Sequence, residues 1–229
     1  MSTLDSAIEE LVALADLVRK MSYADNLTPL GNALALEKIV SSNAFDRGEF
    51  DVVVFGDLNE FKSLNDSHGH DAGDAGIRQA GVLIQEYFVD SDIKAKGFRT
   101  SGDEFVILLK QEKIVTFREK AAQFASIDFS HQNNELTAKM SFGFAIGDDV
   151  TDFRELKTRA EMACRFAKTL GHGTVEGWTG ELQRNTFTSK RKTCPNCGAV
   201  NSCSVPPNRS DISLVACSCC GHPFAADPL

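Results

Sequence analysis

Two adjacent carboxylates, Asp103 and Glu104, stand directly before an apolar run in the sequence FRTSGDEFVILL. Neighbouring anions repel each other, so this position at the mouth of a buried strand calls for a compensating charge. A third carboxylate, Asp57, closes an earlier apolar run and would meet the pair if the two strands are neighbours. Such hard oxygen ligands suit Mg²⁺ or Mn²⁺, and a bound metal pair could activate a hydroxyl for attack on phosphorus.

The elements that must position these carboxylates alternate between helical and strand patterns. The run DVVVF is typical of a strand buried on both faces, and the acidic pair falls in a predicted hairpin. Strands covered by intervening helices predict an α/β fold of the α+β sandwich type. The predicted strands are 51–55, 95–99, 105–109, 137–146 and 174–178, and the predicted helices are 3–21, 74–88, 112–125 and 152–170.

The segment 59–74 is rich in Gly and Asn, which predicts a loop with backbone N–H groups turned toward phosphate. Within it, Asn65 and Asp74 could read the polar edge of guanine. The alternative is that both are turn and helix-cap residues, which is the usual place of Asn and Asp in loops.

The first predicted helix carries a short heptad seam. Three heptads leave open whether this face packs on its own domain or forms a dimer contact. The seam consists of Leu4, Leu11 and Val18 together with Ala7, Leu14 and Met21.

The net charge of −8 is unevenly spread, because residues 179–229 carry five Lys or Arg and only three Asp or Glu. An acidic body is poorly suited to gripping duplex nucleic acid directly. No apolar run reaches membrane-spanning length, and acidic residues interrupt the N-terminal segment where a signal peptide would be apolar. We therefore expect a cytoplasmic protein with no membrane partner.

Six of the seven cysteines follow Lys192, and four of them form two C-x-x-C-G units with nineteen residues between Cys197 and Cys217. This spacing predicts a zinc ribbon at residues 193–229, with 179–192 as a linker. So short a segment needs the metal in order to fold, and the basic cluster before it could also dock an effector protein or a nucleic acid. The predicted Zn²⁺ ligands are Cys194, Cys197, Cys217 and Cys220.

Five sequence blocks in order across about residues 23–178 resemble the GGDEF family of nucleotide cyclases, which condense two GTP into cyclic di-GMP. The resemblance implies a palm-like, mostly antiparallel sheet flanked by helices, and the helix with the heptad seam, residues 1–22, precedes this domain. The blocks are DNLTPLGN from Asp25, DLNEFKSLND from Asp57 with GHDAGD after it, RTSGDEF from Arg99, SFG from Ser141, and RAE with AKTLG from Arg159.

The resemblance also implies roles for individual residues and a homodimer in which each protomer contributes one GTP. The catalytic residues would be Asp57, Asp103 and Glu104, with Glu104 activating the ribose 3′-hydroxyl or binding a second ion. The substrate-binding residues would be Asn65, Asp74, Phe61, Lys62, Lys168 and Arg99, and the metal ligands would be Asp57, the Leu58 carbonyl, Asp103 and Glu104.

The sequence departs from the family pattern at several positions. Asn59 replaces an acidic residue, His172 stands where an Arg often holds phosphates, and Ser101 replaces the first glycine of the signature. Ala33 replaces a usual Arg, and the stretch 92–95 lacks the RxxD of the family's inhibitory site, so no product inhibition through that site is expected.

A magnesium-dependent diguanylate cyclase is accordingly the leading hypothesis. A non-catalytic receptor for GTP or a cyclic nucleotide, signalling through the ribbon, is the alternative from another functional class. A palm-type cyclase with a different product is the remaining alternative, since the phosphate contacts are altered.

Overall fold

The computed structural model describes residues 3–42, 44–45, 48–147 and 152–179, and four further strands at 189–193, 200–204, 213–216 and 223–226. The chain divides into two compact units, Met1–Trp178 and Thr179–Leu229. Among the helices that the structure describes, none is both long and apolar enough to cross a bilayer.

A five-stranded sheet forms the centre of the first unit, in the order β2-β3-β1-β6-β7. All neighbouring pairs are antiparallel except β6 and β7, and β4 and β5 form a separate hairpin. This agrees with the predicted sandwich built on a mostly antiparallel sheet. The strands are β1 (Val52–Leu58), β2 (Lys96–Ser101), β3 (Glu104–Leu109), β4 (Ile127–His131), β5 (Asn134–Ala138), β6 (Met140–Ile146) and β7 (Val175–Gly177).

Helices cover both faces of the sheet because alternate residues of β1 point to opposite sides. Val52 and Val54 belong to a core with α4, whereas Val53 and Phe55 belong to a second core with α2 and α6. Burial on both faces explains why the sequence of β1 is continuously apolar. The helices are α1 (Thr3–Tyr23), α2 (Ala33–Ser41), α3 (Phe61–His68), α4 (His70–Ile84), α5 (Ile114–Ala121) and α6 (Phe153–Leu170).

The structure corrects several predicted elements. The expected loop 59–74 is mostly helical: Gly69, at φ +84°, separates α3 from α4. The α3 helix has no buried residue, so no apolar periodicity revealed it. The predicted strand 137–146 is broken between β5 and β6, and the predicted helix 112–125 is an α-helix flanked by two 3₁₀ turns.

The apolar residues described on α1 remain exposed, which is the outcome expected if the heptad seam does not pack on its own domain. Leu11 is 66% exposed and Met21 is 68% exposed, and Leu14 and Val18 are exposed as well.

In the described part of the second unit, four strands form two antiparallel pairs. Residues 189–192, which were expected to belong to a linker, lie in the first of them. The predicted zinc ligands Cys194, Cys197, Cys217 and Cys220 lie outside the described residues. The pairs are β8 (Ser189–Thr193) with β9 (Val200–Ser204), and β10 (Ser213–Ala216) with β11 (Pro223–Ala226).

Helix α6 packs against β6 at a place where the strand has no side chain. A Cβ on Gly143 would stand 2.0 Å from the Cys164 nitrogen and 2.2 Å from the Ala160 oxygen, both of them helix backbone atoms. The missing side chain of Gly143 therefore sets the distance between α6 and the sheet.

We predict that Gly143→Ala lowers the free energy of unfolding by about 3 kcal/mol or more, because the new methyl group meets backbone rather than a side chain that can turn away. Urea denaturation of both proteins measures the change. Gly76→Ala is the matched control, since its Cβ would meet the Phe129 ring at 3.3 Å and alanine favours the helix. Equal, small effects of the two substitutions would contradict the direct contact of α6 with β6.

Candidate functional site

The pairing of β1 with β3 brings the acidic residues together at one end of the sheet. Asp57 lies directly opposite Glu104 in the strand pairing. The backbone nitrogen of Leu58 donates a hydrogen bond to the backbone carbonyl oxygen of Asp103 at 3.3 Å. The hairpin between β2 and β3 turns at Gly102, where φ is +42°. Ser101 is not in the left-handed region, so serine in place of the usual glycine causes no backbone strain there.

Burial and nearby negative charge raise the pKa values of Asp103 and Glu104. Burial raises the pKa of Asp103, and the charge of Asp57 raises it further, against the opposing effects of Lys168 and Arg99. Burial likewise raises the pKa of Glu104, which Lys157 opposes and Asp57 and the neighbouring acids reinforce. The site is therefore short of positive charge.

Lys168 on α6 supplies part of that charge. Its ammonium group donates a hydrogen bond to Asp57 Oδ1 and lies 3.5 Å from the Leu58 carbonyl oxygen. These are two of the oxygens that the family resemblance assigns to a metal ion. The family resemblance implies that Lys168 holds phosphates, but it does not indicate the contact between Lys168 and Asp57.

The donor atoms fit a hard divalent cation by their chemistry, since carboxylate and carbonyl oxygens with raised carboxyl pKa values favour a bound positive charge. Within the described residues, however, no three Asp, Glu, His or Cys side chains are grouped closely enough to hold a metal ion. Asp57 pairs with Lys168.

A cavity of about 310 Å³ opens beside the acidic residues, and α6 forms one of its walls. Residues spaced three or four apart on a helix lie on one face, and this spacing brings several α6 side chains to the cavity. Glu161 and Arg165 were not among the predicted site residues, although this spacing could have indicated them. The lining residues are Phe55, Asp57, Glu104, Glu161, Cys164, Arg165 and Lys168.

Asn65 carries a buried polar atom without a partner. Its Oδ1 makes no hydrogen bond to any residue that the structure describes, and a Cβ on Gly73 would lie only 1.9 Å from that atom. Asn65 lies within α3 and the exposed Asp74 lies within α4, and neither side chain caps a helix. The cap interpretation is therefore wrong for both residues. Phe61 lies beside Gly73, and Lys62 is exposed.

Arg99 holds the acidic hairpin in place instead of pointing freely into the site. Its Nε donates a hydrogen bond to the Gly102 carbonyl at 2.7 Å, and its guanidinium pairs with Asp25 at 3.2 Å. Asp25 in turn accepts hydrogen bonds from the Leu27 and Thr28 nitrogens. Arg99 thus links the segment that follows α1 to the turn that carries Asp103.

The family departure at Asn59 has a structural explanation. Asn59 is 9% exposed, and its Oδ1 accepts hydrogen bonds from the Ser141 hydroxyl at 3.1 Å and the Gly173 nitrogen at 3.1 Å. These bonds need only a carbonyl oxygen, so a neutral amide meets the requirement. They fasten the turn after α6 to the end of β1.

The raised pKa of Asp103 predicts a stability effect. Because the unfolded chain releases this proton at lower pH, ionisation of Asp103 disfavours the folded state as pH rises through the window between the two pKa values. We expect Asp103→Asn to raise the melting temperature of the metal-free protein at pH 7 and to reduce the further rise that MgCl₂ produces.

Differential scanning calorimetry in EDTA and in MgCl₂ measures both effects. Asp66→Asn is the matched control, because Asp66 is exposed on α3. A melting temperature for Asp103→Asn at or below that of the wild type in EDTA would contradict the raised pKa.

Comparisons with known proteins agree with this geometry. The family model described as diguanylate cyclase, GGDEF domain, matches residues 22–174. A probable diguanylate cyclase, DgcE of Escherichia coli, is 31% identical over 193 residues, which cover 76% of this chain and 17% of DgcE. The signaling protein YkoW of Bacillus subtilis is 32% identical over 160 residues, covering 66% of this chain and 20% of YkoW.

A solved structure has the same fold. The coiled coil and GGDEF domain of DgcB from Caulobacter crescentus, in complex with c-di-GMP, matches with a TM-score of 0.66 and 22% identity over 76% of this chain and 94% of that one. The chain spans less than a third of the length of the curated relatives named above. On the strength of the family model, this chain belongs to the family of diguanylate cyclase GGDEF domains.

Proposed function

We propose that the chain is a diguanylate cyclase that uses Mg²⁺ or Mn²⁺ to condense two GTP into cyclic di-GMP and pyrophosphate. The observation that carries the proposal is the meeting of Asp57 with Asp103 and Glu104 at one end of the sheet, with raised pKa values for the last two. These are the residues that the family uses for this chemistry, and the departures from its pattern fall elsewhere.

Asp57, the Leu58 carbonyl, Asp103 and Glu104 would hold the metal ions, which when bound would stabilise charge on the phosphorus under attack. In each of two equivalent steps a ribose 3′-oxygen bonds to the α-phosphorus of the other GTP, and the bond to the β-phosphate breaks. Glu104 is suited to accept the hydroxyl proton, because a raised pKa makes its carboxylate a stronger base near neutral pH.

Lys168 would exchange partners on substrate binding. Once a metal ion engaged Asp57, the ammonium group of Lys168 would be released toward the phosphates. Holding phosphates is the role that the family resemblance implies for Lys168. The free Oδ1 of Asn65 would accept a hydrogen bond from guanine, and Asp74 would complete that contact.

The reaction needs two protomers, because each would present one GTP to the other. The exposed apolar residues of α1 support a homodimer, since their heptad spacing matches a two-helix contact. Formation of such a pair would cover side chains that the protomer leaves in solvent.

Residues 193–229 stay a predicted zinc ribbon, in which Zn²⁺ would hold the short segment folded and the preceding basic cluster could dock an effector protein or a nucleic acid. In sequence, each C-x-x-C unit falls between the two strands of a hairpin, the first between β8 and β9 and the second between β10 and β11. This arrangement supports the proposed Zn²⁺ site.

Purified protein incubated with GTP, or with ATP, in Mg²⁺ or Mn²⁺ should yield cyclic di-GMP from GTP, identified by mass spectrometry. The rate per protomer should rise with protein concentration while dimers are scarce.

Glu104→Gln should reduce turnover by at least about 100-fold, because it removes the proton acceptor.

Glu119→Gln is the control, because Glu119 is exposed on α5. Full activity of Glu104→Gln would refute the mechanism. GTP binding without product would favour the receptor, and a cyclic product from ATP would favour a cyclase of different specificity.

Asn65→Ala should weaken GTP binding by about tenfold and leave ATP binding nearly unchanged, because adenine does not present the same donors to Oδ1. Isothermal titration calorimetry with both nucleotides measures the difference. Ser67→Ala, at an exposed position of the same helix, is the control. Equal losses for both nucleotides would show that Asn65 does not read the base.

A further inference from the structure

Helix α6 presents a line of charged side chains to the acidic cavity. Glu161, Arg165 and Lys168 all line it, and their spacings of four and three residues place them on one face of the helix. Lys168 and Arg165 are one turn apart, about 4.5 Å along the helix axis. Both cations can therefore reach one extended anionic ligand.

The neighbouring cations of α6 are already paired. Lys157 pairs with Glu161, Arg159 pairs with Glu155 at 2.6 Å, and Lys168 pairs with Asp57. Arg165 is different: in the part of the chain that the structure describes, its side chain makes no hydrogen bond or ion pair. It remains exposed even though Glu161 lies one turn before it.

His172 does not bring a cation to this cavity. Its Nδ1 lies 3.6 Å from Glu60 Oε2, and the residue lines a separate cavity of about 220 Å³ with Lys139 and His68. The family position that often holds phosphates through an Arg is thus directed elsewhere in this chain.

A polyphosphate in the acidic cavity would gain from a cation beside the proposed metal ions and Lys168. Asp57, Glu104 and Glu161 all line it, and Lys168 is engaged with Asp57. A guanidinium group suits the task, because its planar fork can donate two parallel hydrogen bonds to one phosphate.

We propose that Arg165 binds the triphosphate of the substrate, one helical turn before Lys168, and so takes over the phosphate contact that His172 does not make. The proposal rests on the proposed function for the identity of the nucleotide, but the ligand chemistry it requires is a polyphosphate.

The experiment measures binding of inorganic tripolyphosphate with Mg²⁺ to the full chain by isothermal titration calorimetry at fixed ionic strength. Arg165→Gln should weaken binding about tenfold, and Arg165→Lys should restore part of the loss, because a point charge replaces only part of the fork. Arg154→Gln is the matched control, since Arg154 is an exposed arginine of the same helix and does not line this cavity.

Wild-type affinity in Arg165→Gln, equal losses in Arg165→Gln and Arg154→Gln, or no binding to the wild type would each overturn the proposal. Turnover of GTP distinguishes it from the cyclase assignment. Tripolyphosphate binding that depends on Arg165 without any cyclic product would uphold Arg165 and reject the cyclase. Cyclic di-GMP formation with an unchanged KM for GTP in Arg165→Gln would uphold the cyclase and reject the role of Arg165.

Discussion

Asp57 and Glu104 stand opposite each other on paired antiparallel strands, and their repulsion is the constraint to which the surrounding structure responds. The backbone pairing is fixed by the buried residues that precede Asp57 in β1 and follow Glu104 in β3, so the two carboxylates cannot separate by sliding. Positive charge has to come from another element. Helix α6 provides it through Lys168, which lies across the end of β1.

Two further arrangements keep the acidic end of the sheet in shape. Arg99 is bonded to both Gly102 and Asp25, so the turn carrying Asp103 is held by a partly buried ion pair from a distant part of the chain. On the other side, Asn59 and Ser141 hold the Gly173 nitrogen and thereby fix the end of α6. Even so, the pKa values of Asp103 and Glu104 stay raised.

The sequence was sufficient to predict the strands that carry the acids, because their apolar runs and the intervening hairpin depend on local residue order. It also predicted α6, whose first residue follows the capping side chain of Asp152. The α3 helix was missed because it buries nothing and its polar composition matches that of a loop. The contacts of Lys168 with Asp57 and of Arg99 with Asp25 join residues 111 and 74 positions apart, so no local pattern could reveal them.

The bare backbone contact between Gly143 and α6 has a consequence for how the family can vary. Because no side chain separates the helix from the sheet at Gly143, contact between backbone atoms sets their distance there, and side chains on the cavity face do not. Residues on that face can therefore change identity without moving the helix. Mutation can shift a ligand-binding role from one turn to another while the distance to Asp57 stays within reach. In evolutionary terms, Gly143 allows a substrate contact to pass from one residue of α6 to another on the same face.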